Sequence, residues 1–297
     1  MPVKQAANIT VIGAGVIGLT TAIVLQDRGH RVTIVTSALP LGLDTTSNKA
    51  AAIWFPYRAD PPEQINYWSR QSYDRFVQLS QSSVTGVRMV ESVNLLNDLN
   101  PWWLPAFPEG AVREASATEL PEGYERGLMA VVPFIETPVY LQYLLDRFRE
   151  NGGQLNIQQV DADALATLAG SQLVVNCTGL GAAALCDDTQ LYPIQGYIAK
   201  VEAPQQQTFL LRDDEPLAYI LPRQDGVILG GTAIEGADST TPDPNVVQSI
   251  IARCQRLSPN LKSARLLDAY VGLRPARKGG IRLERDGAAN VIHNYGH

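Results

Sequence analysis

Three glycines, Gly13, Gly15 and Gly18, make a G-x-G-x-x-G pattern inside VIGAGVIGLTTAIVLQDRGHRVTIVTSALP, Val11 to Pro40. This spacing lets a backbone close on a pyrophosphate. The first glycine permits the tight turn, the second admits the phosphate, and the third allows close helix–strand packing. The free N–H groups of a helix start add Val16 and Ile17 to the phosphate contacts. A carboxylate about twenty residues further on would accept hydrogen bonds from a ribose diol. Thr36-Ser37-Ala38 stands there instead. Ser37 or the backbone is left to hold the ribose, and no arginine is present to favour a 2′-phosphate. On these residues alone the ligand, or its absence, stays open.

The turn needs a strand before it, a helix after it and a second parallel strand. Ile9 to Ile12 is a short β-branched apolar run, Leu19 to Arg28 is helix-friendly and stops at Gly29, and Arg31 to Val35 alternates. This is a βαβ unit on schedule. Ser37 to Asn48 reads as loop. Gln64 to Ser80 and Thr137 to Arg149 read as helices, the second strongly amphipathic and ended by Asn151-Gly152-Gly153. Pro101 to Pro133 reads as irregular surface structure. Leu173 to Val175 is a strand leading to Cys177, Thr178 and Gly179. Ile194 to Val201, Ala218 to Leu221 and Val227 to Leu229 read as antiparallel strands. Val246 to Leu257 reads as a helix, and Asp268 to Gly272 and Ala289 to Ile292 as the last strands.

The order predicts an α/β chain: a Rossmann-like nucleotide-binding domain with a β-rich (α+β) domain inserted twice. The expected division is 1–57, about 134–190 and about 265–297 for the first domain, and about 58–133 and about 191–264 for the second. The 297 residues suffice for two domains.

Net charge is -6 with no basic run, which argues against nucleic acid as a partner. No stretch reaches the ~18 apolar residues of a membrane helix. Three cysteines, Cys177, Cys186 and Cys254, form no C-x-x-C pair and read as reduced thiols of a cytoplasmic protein. The N-terminus shows no secretory pattern. His293 and His297 lack Glu or Cys company, so no metal site is expected.

Five segments in order across nearly the whole chain resemble the D-amino-acid oxidases. They are LDTTSNKAAAIWFPYR (Leu43 to Arg58), VVNCTG (Val174 to Gly179), AYILPRQDGVILGGT (Ala218 to Thr232), VGLRPARKGGIRLE (Val271 to Glu284) and VIHNYGH (Val291 to His297). The resemblance implies non-covalent FAD. It implies oxidative deamination: the α-hydrogen leaves a D-amino acid as hydride to the flavin, the imino acid hydrolyses to a keto acid and ammonia, and dioxygen becomes hydrogen peroxide. The substrates are then a small D-amino acid and dioxygen, and a homodimer is compatible with the chain. Location is the cytoplasm, or the peroxisome in a eukaryote.

The resemblance also implies roles. Thr45, Thr46, Ser47, Ala50, Ala51 and Ala52 wrap the flavin, and Cys177, Thr178 and Gly179 contact it. Arg274 holds the substrate carboxylate, for which a planar guanidinium suits bidentate binding. Its structural alternative is an ion pair with Glu284 or Asp268. Tyr219 offers a hydroxyl to the same carboxylate, or simply packs on a strand. Trp54 and Phe55 line the pocket, or serve as core. Arg223 reaches the site mouth, or lies at the surface. Arg282 places positive charge near the flavin ring, or is an exposed strand arginine.

Four departures stand out. Ala38 replaces the ribose acid. Glu215 stands where some members carry a second active-site tyrosine. Gln195 in YPIQGY replaces an arginine. The sequence stops at HNYGH, where the family continues with a glycine-rich turn and a helix, and it is expected to end before the protein does. Rival readings are a glycine, sarcosine or D-aspartate oxidase, with Arg58 or Arg223 as a second cation, a non-catalytic Rossmann-like binding protein, and an NAD-dependent dehydrogenase.

Overall fold

The computed structural model describes residues 6–42, 45–50, 52–56, 59–96, 98–204, 209–212, 216–287 and 289–297. Two compact units emerge. One comprises Met1–Lys49, Thr137–Pro193 and Arg274–His297, the other Ala50–Glu136 and Ile194–Leu273.

The chain starts in the first unit with β1 (Asn8–Ile12), α1 (Val16–Asp27), β2 (Arg31–Thr36) and the short α2 (Thr46–Lys49). It continues in the second unit with β3 (Ala52–Ile53), α3 (Pro62–Leu79), β4 (Val87–Leu95), β5 (Val112–Glu114) and β6 (Leu128–Ile135). It returns for α4 (Thr137–Glu150), β7 (Gln154–Ile157), α5 (Ala162–Ser171), β8 (Leu173–Asn176) and α6 (Ala182–Leu185). Then come β9 (Leu191–Glu202), β10 (Phe209–Arg212), β11 (Ala218–Arg223), β12 (Gly226–Gly230), β13 (Ile234–Glu235), α7 (Pro244–Leu257) and β14 (Arg265–Arg277). β15 (Arg282–Arg285) and β16 (Val291–Tyr295) complete the chain in the first unit.

The first unit is built on a sheet ordered β15-β16-β8-β1-β2-β7. Its pairs from β16 through β7 are parallel, and β15 runs antiparallel at the edge. Ile9, Val11 and Ile34 are buried on it. On the other helical side, α5 and α6 bring Ala169 and Leu185 against Ile12, Val174 and Val291. α1 and α4 lie side by side: the Gln26 amide donates to the Phe148 carbonyl at 3.0 Å, and Arg147 pairs with Asp27 at 2.8 Å.

The second unit carries a larger, mostly antiparallel sheet whose path runs β13-β9-β12-β11-β10-β4-β6-β3, with β5 beside β6. One face packs Val93, Ala199, Ile220 and Leu229 against Ile250 and Cys254 of α7. The other gathers Phe134, Ile198, Leu217, Tyr219, Leu221 and Ile228.

Several elements differ from the sequence expectation. The stretch 101–133 is not irregular throughout, because β5 and most of β6 lie in it. Pro133 sits inside β6, and a proline without an N–H ordinarily argues against a strand interior. Here it faces Met89 of β4 without breaking the ladder. β7 escapes notice because Gln154, Asn156 and Ile157 are exposed on an edge strand. α2 overlaps the end of the expected Ser37 to Asn48 loop, where the Thr45 hydroxyl accepts from the Asn48 N–H at 3.3 Å. The domain limits also differ. Ala52 and Ile53 pair with Ile135 and Phe134, so these four residues belong to the second unit, as does Arg265 to Leu273. Among the described residues no helix is long and apolar enough to cross a membrane.

Candidate active site

The glycine turn forms where three parallel strands end. The Gly13 N–H donates to the Val35 carbonyl of β2 at 2.8 Å, and the Cys177 N–H donates to the Ile12 carbonyl of β1 at 2.8 Å. Gly13 has φ +104°, and a Cβ there would stand 2.5 Å from the Cys177 carbonyl oxygen. A Cβ on Gly18 would run into the Gly13 carbonyl. Side chains are therefore excluded at both positions, one by conformation and contact, the other by contact alone.

α1 begins with Gly15 as N-cap, no side-chain cap and no acidic residue in its first turn. Its first N–H groups lack intrahelical partners and its dipole is positive there. The Val16 N–H donates to Ser47 Oγ at 3.2 Å, which brings Ser47 onto the turn beside Gly15, Val16 and Ile17. The cradle has no side chain at its three glycines and no acid in the first turn, with only the small Ser47 hydroxyl over it, and it fits a diphosphate.

Ser37 and Ala38 are exposed at the end of β2. The Thr36 hydroxyl is engaged with the Ala38 carbonyl at 3.1 Å. The Gln158 N–H donates to the Thr36 carbonyl at 2.8 Å, so the end of β7 adjoins Ser37. Ligands of parallel α/β sheets sit beyond the carboxyl ends of the strands. Gln158 to Val160 thus joins that edge, a segment the sequence reading passed over. The one available signal was a strand due after the amphipathic helix α4.

On the α2 side, the Thr45 hydroxyl donates to the Gly42 carbonyl at 3.2 Å, and Asn48 Nδ2 donates to the Leu41 carbonyl at 2.9 Å. Thr46 is half-buried in the first turn of α2. After β8, the Thr178 hydroxyl donates to Asn176 Oδ1 at 2.7 Å, and Gly179 takes φ +57°. Burial pushes the Cys177 thiol up to about 12, so it stays protonated and unreactive. Ala50 and Ala52 fall in the second unit, and Ala51 lies outside the described residues.

Arg274 lies half-buried on β14, in its first-unit portion. The following Pro275 lies close to Gly179: a Cβ on that glycine would be 3.8 Å from its ring. Three residues on, Arg277 Nε donates to Asp188 Oδ2 at 2.9 Å. The Tyr295 hydroxyl donates to the same oxygen at 2.8 Å and receives from Arg282 Nη1 at 2.6 Å. Arg282 Nε also donates to Glu284 at 2.7 Å. Arg282 is therefore a half-buried, paired member of a network, not an exposed strand arginine. Burial opposes the charge on Asp188. The hydrogen bonds from Arg277, Tyr295 and the Gln190 N–H outweigh it and hold the carboxyl below the usual range. Burial, with Asp188 alongside, raises the Tyr295 phenol to about 12.

In the second unit, Tyr219 is buried on β11. Its ring lies over the facing glycines: a Cβ on Gly230 would coincide with ring atoms and the hydroxyl, and one on Gly231 would be 3.0 Å from the hydroxyl. Trp54 is also buried. Its Nε1 donates to Ser72 Oγ at 2.8 Å, and its ring stands edge-on to Tyr73 and Phe107, both at 5.0 Å. Phe55 is half-buried with its centroid 4.6 Å from that of Trp103. Both residues belong to one aromatic cluster.

Arg223 is neither a surface residue nor a free cation. Its side chain is 10% exposed and binds Asp225 through Nε and Nη2 at 3.0 and 3.1 Å. Glu136 Oε2 stands 3.6 Å from the same Nε. Arg58 and Glu215 lie outside the described residues. Gln195 is buried and donates to the Ser239 carbonyl at 2.7 Å. His293 is buried between Asn176 and Asp286, at 3.5 and 3.8 Å, and burial lowers its pKa. Among the described residues no cluster of three or more His, Cys, Asp or Glu is arranged to hold a metal.

The family model for FAD dependent oxidoreductases matches residues 8–297. The chain is 42% identical to a D-amino-acid oxidase of Rubrobacter xylanophilus, over 99% of this chain and 91% of that one. It is 39% identical to a D-amino-acid oxidase of Streptomyces coelicolor, over 99% and 92%. It is 31% identical to a D-aspartate oxidase of Homo sapiens, over 99% and 89%. A glycine oxidase structure from Geobacillus kaustophilus superposes with a TM-score of 0.78 over 99% of this chain and 90% of that one. At 19% identity that likeness speaks to the fold. The match along nearly the whole chain, on a parallel sheet whose glycine turn fits a diphosphate, places this protein in the FAD dependent oxidoreductase family, with FAD as its cofactor.

Proposed function

We propose that this protein oxidises D-amino acids with neutral side chains to imino acids, which hydrolyse to keto acids and ammonia while dioxygen becomes hydrogen peroxide. The observation that carries this reading is the 42% identity, over 99% of the chain, to a protein named D-amino-acid oxidase. When bound, FAD supplies the two-electron acceptor and passes the electrons on to dioxygen. The chain's own residues bind and orient.

The first unit is the FAD-binding domain, and the second is the substrate domain. The diphosphate is held on the first turn of α1 by Gly15, Val16, Ile17 and Ser47, supported by the glycine turn and by a helix start whose N-cap, Gly15, has no side chain to block it. Ser37, exposed at the end of β2, covers the ribose. Thr45, Thr46, Thr178 and Gly179 complete the cofactor contacts. Arg274 binds the substrate carboxylate through two parallel N–H bonds, and the Tyr219 hydroxyl is a further donor to it. The substrate amine gives up its proton to solvent before its α-hydrogen leaves, so no side-chain base is required. Arg282 is already paired with Glu284 and bonded to the Tyr295 hydroxyl, so its role is to brace the strand near the flavin and not to supply a free charge. Its place of action is the cytoplasm, or the peroxisome in a eukaryote.

An acidic substrate would need a further cation for its side chain. Arg223 is held by Asp225 and Glu136, which disfavours that role. The likeness to a D-aspartate oxidase keeps an acidic substrate as the second reading. The test is a purified preparation scored for flavin absorbance and for peroxide release from a panel of D-amino acids, with glycine, sarcosine and D-aspartate included. Turnover of neutral D-amino acids is expected. A yellow protein that turns over none of them overturns the proposal.

A further inference from the structure

We infer that Arg253 is a positioning residue for Tyr219, acting through the carbonyl of Gly231. This deepens the reading above, since it rests on Tyr219 meeting the substrate carboxylate. α7 packs behind β11 and β12, burying Val247, Ile250, Ile251, Cys254 and Leu257. Two adjacent residues on it reach through to the strands. Arg253 Nη2 donates to the Gly231 carbonyl at 2.8 Å, and its Nη1 donates to Ser249 Oγ, one helical turn back, at 3.2 Å. Cys254 Sγ lies 3.4 Å from the Tyr219 carbonyl and 3.7 Å from the Gly230 carbonyl. Tyr219 and Gly230 are register partners across β11 and β12.

On the opposite side the Tyr219 ring rests on the Gly230–Gly231 backbone, closely enough that neither glycine could carry a side chain without moving it. The glycine pair is thus a floor under the ring. Gly230 is fixed by its ladder pairing with Tyr219 and Ile198, but Gly231 lies past the end of β12, where the free glycine backbone stays in place only if something else holds it. The Gly231 N–H has one long bond, to the Leu217 carbonyl at 3.4 Å. The Gly231 carbonyl has the short, charge-assisted bond from Arg253, the stronger kind. A guanidinium can reach Ser249 and Gly231 together because its donors form a fixed fork, which an ammonium does not match. The direction of the Tyr219 phenol, and so its reach to a carboxylate, depends on a cation that touches neither substrate nor cofactor.

The experiment measures kcat and KM for a neutral D-amino acid in holoenzyme carrying Arg253→Met, Arg253→Lys, Tyr219→Phe, and Tyr219→Phe with Arg253→Met. Arg253→Met is expected to raise KM about fivefold or more with kcat within about twofold, the pattern of lost substrate binding. Arg253→Lys should recover part of that loss. In the Tyr219→Phe background, Arg253→Met should add less than about twofold, since coupled residues are not additive. Equal effects in both backgrounds, or an unchanged KM in Arg253→Met, overturn the proposal. If Arg253→Met does not fold, Gly231→Ala, whose methyl would press on the ring from 3.0 Å, must give the same KM-selective loss and the same non-additivity, or the proposal falls. If Tyr219→Phe itself leaves KM unchanged, the reading of Tyr219 fails and the route through it fails with it. If Tyr219→Phe raises KM and Arg253→Met does not, the positioning role alone fails.

Discussion

Ser47 Oγ accepts a hydrogen bond from the Val16 N–H at 3.2 Å, and a Cβ on Gly15 would stand 3.2 Å from the same oxygen. A residue of α2 thereby closes over the first turn of α1. Ser47→Ala removes this bond. A neutral hydrogen bond contributes about 0.5–1.5 kcal/mol, so FAD affinity should fall by roughly two- to tenfold. Titration of apoprotein with FAD, followed by flavin fluorescence, measures it. Saturating FAD should restore kcat, and a persistent loss of kcat would place Ser47 elsewhere in the mechanism.

Gly18→Ala tests the turn itself. The new methyl meets the Gly13 carbonyl, which is backbone and cannot swing aside. Overpacking of this kind costs about 1–3 kcal/mol or more. A protein with a lowered Tm and little bound flavin is expected. Normal flavin content at normal Tm would show that the helix start is looser than the geometry implies.

Ala38→Asp restores the missing acid at the exposed end of β2. A carboxylate accepting from a ribose hydroxyl makes a charge-assisted bond, worth about 1.5–3 kcal/mol when well placed. At an exposed site the gain should be smaller, several-fold tighter FAD. An unchanged dissociation constant would mean that the ribose does not lie against this residue.

Arg274→Ala should lower kcat/KM through KM by roughly 10- to 150-fold, the equivalent of about 1.5–3 kcal/mol for a hydrogen-bonded charge. Steady-state kinetics on a neutral D-amino acid decides it. Arg223→Gln, by contrast, should leave the ratio of D-aspartate to D-alanine turnover unchanged, because Asp225 and Glu136 hold that side chain.

Asp188→Asn should destabilise the protein in a pH-dependent way. Asp188 is buried against Arg277 and Tyr295, and its pKa is lowered on folding. A carboxyl depressed on folding contributes stability above its unfolded pKa of about 3.9. That contribution is lost as pH falls through the folded value. Breaking a buried pair costs about 3–5 kcal/mol, and the partial exposure of the arginines argues for the low end. Urea unfolding should show a wild-type advantage that is constant from pH 5 to 7 and shrinks below pH 4. A constant difference down to pH 2 would assign the effect to packing alone.

The βαβ unit and its glycines were legible because local rules govern them: strand and helix periodicity, a turn spacing, and the conformational freedom of glycine. The missing acid at Ala38 was legible too. β7 was not, since an exposed edge strand reading QLNI has no apolar period. β6 was concealed by Pro133, tolerated there by a ladder with β4 in which its partner, Met89, lies 44 residues earlier in the chain.

Side-chain roles divide the same way. From sequence, Trp54 and Phe55 stood equally as pocket or core, and Arg223 stood as a candidate cation. Tyr73, Trp103 and Phe107 place the two aromatics in a cluster, and Glu136, far away in the chain, joins Asp225 on Arg223. Arg282 stood as a cation near the flavin or an exposed strand arginine until Asp188 and Glu284 appeared beside it.

By itself, then, the sequence determined the chemistry on offer: a diphosphate turn, a guanidinium and a phenol in ordered segments, and the family they resemble. These depend on residue type and short spacing. Tertiary structure alone decided which charges are already neutralised, which aromatics cluster, and that Tyr219 rests on two glycines, the second of them bonded from behind by Arg253. Those are pairings between residues remote in the chain, set by sheet register and packing, and no local period encodes them.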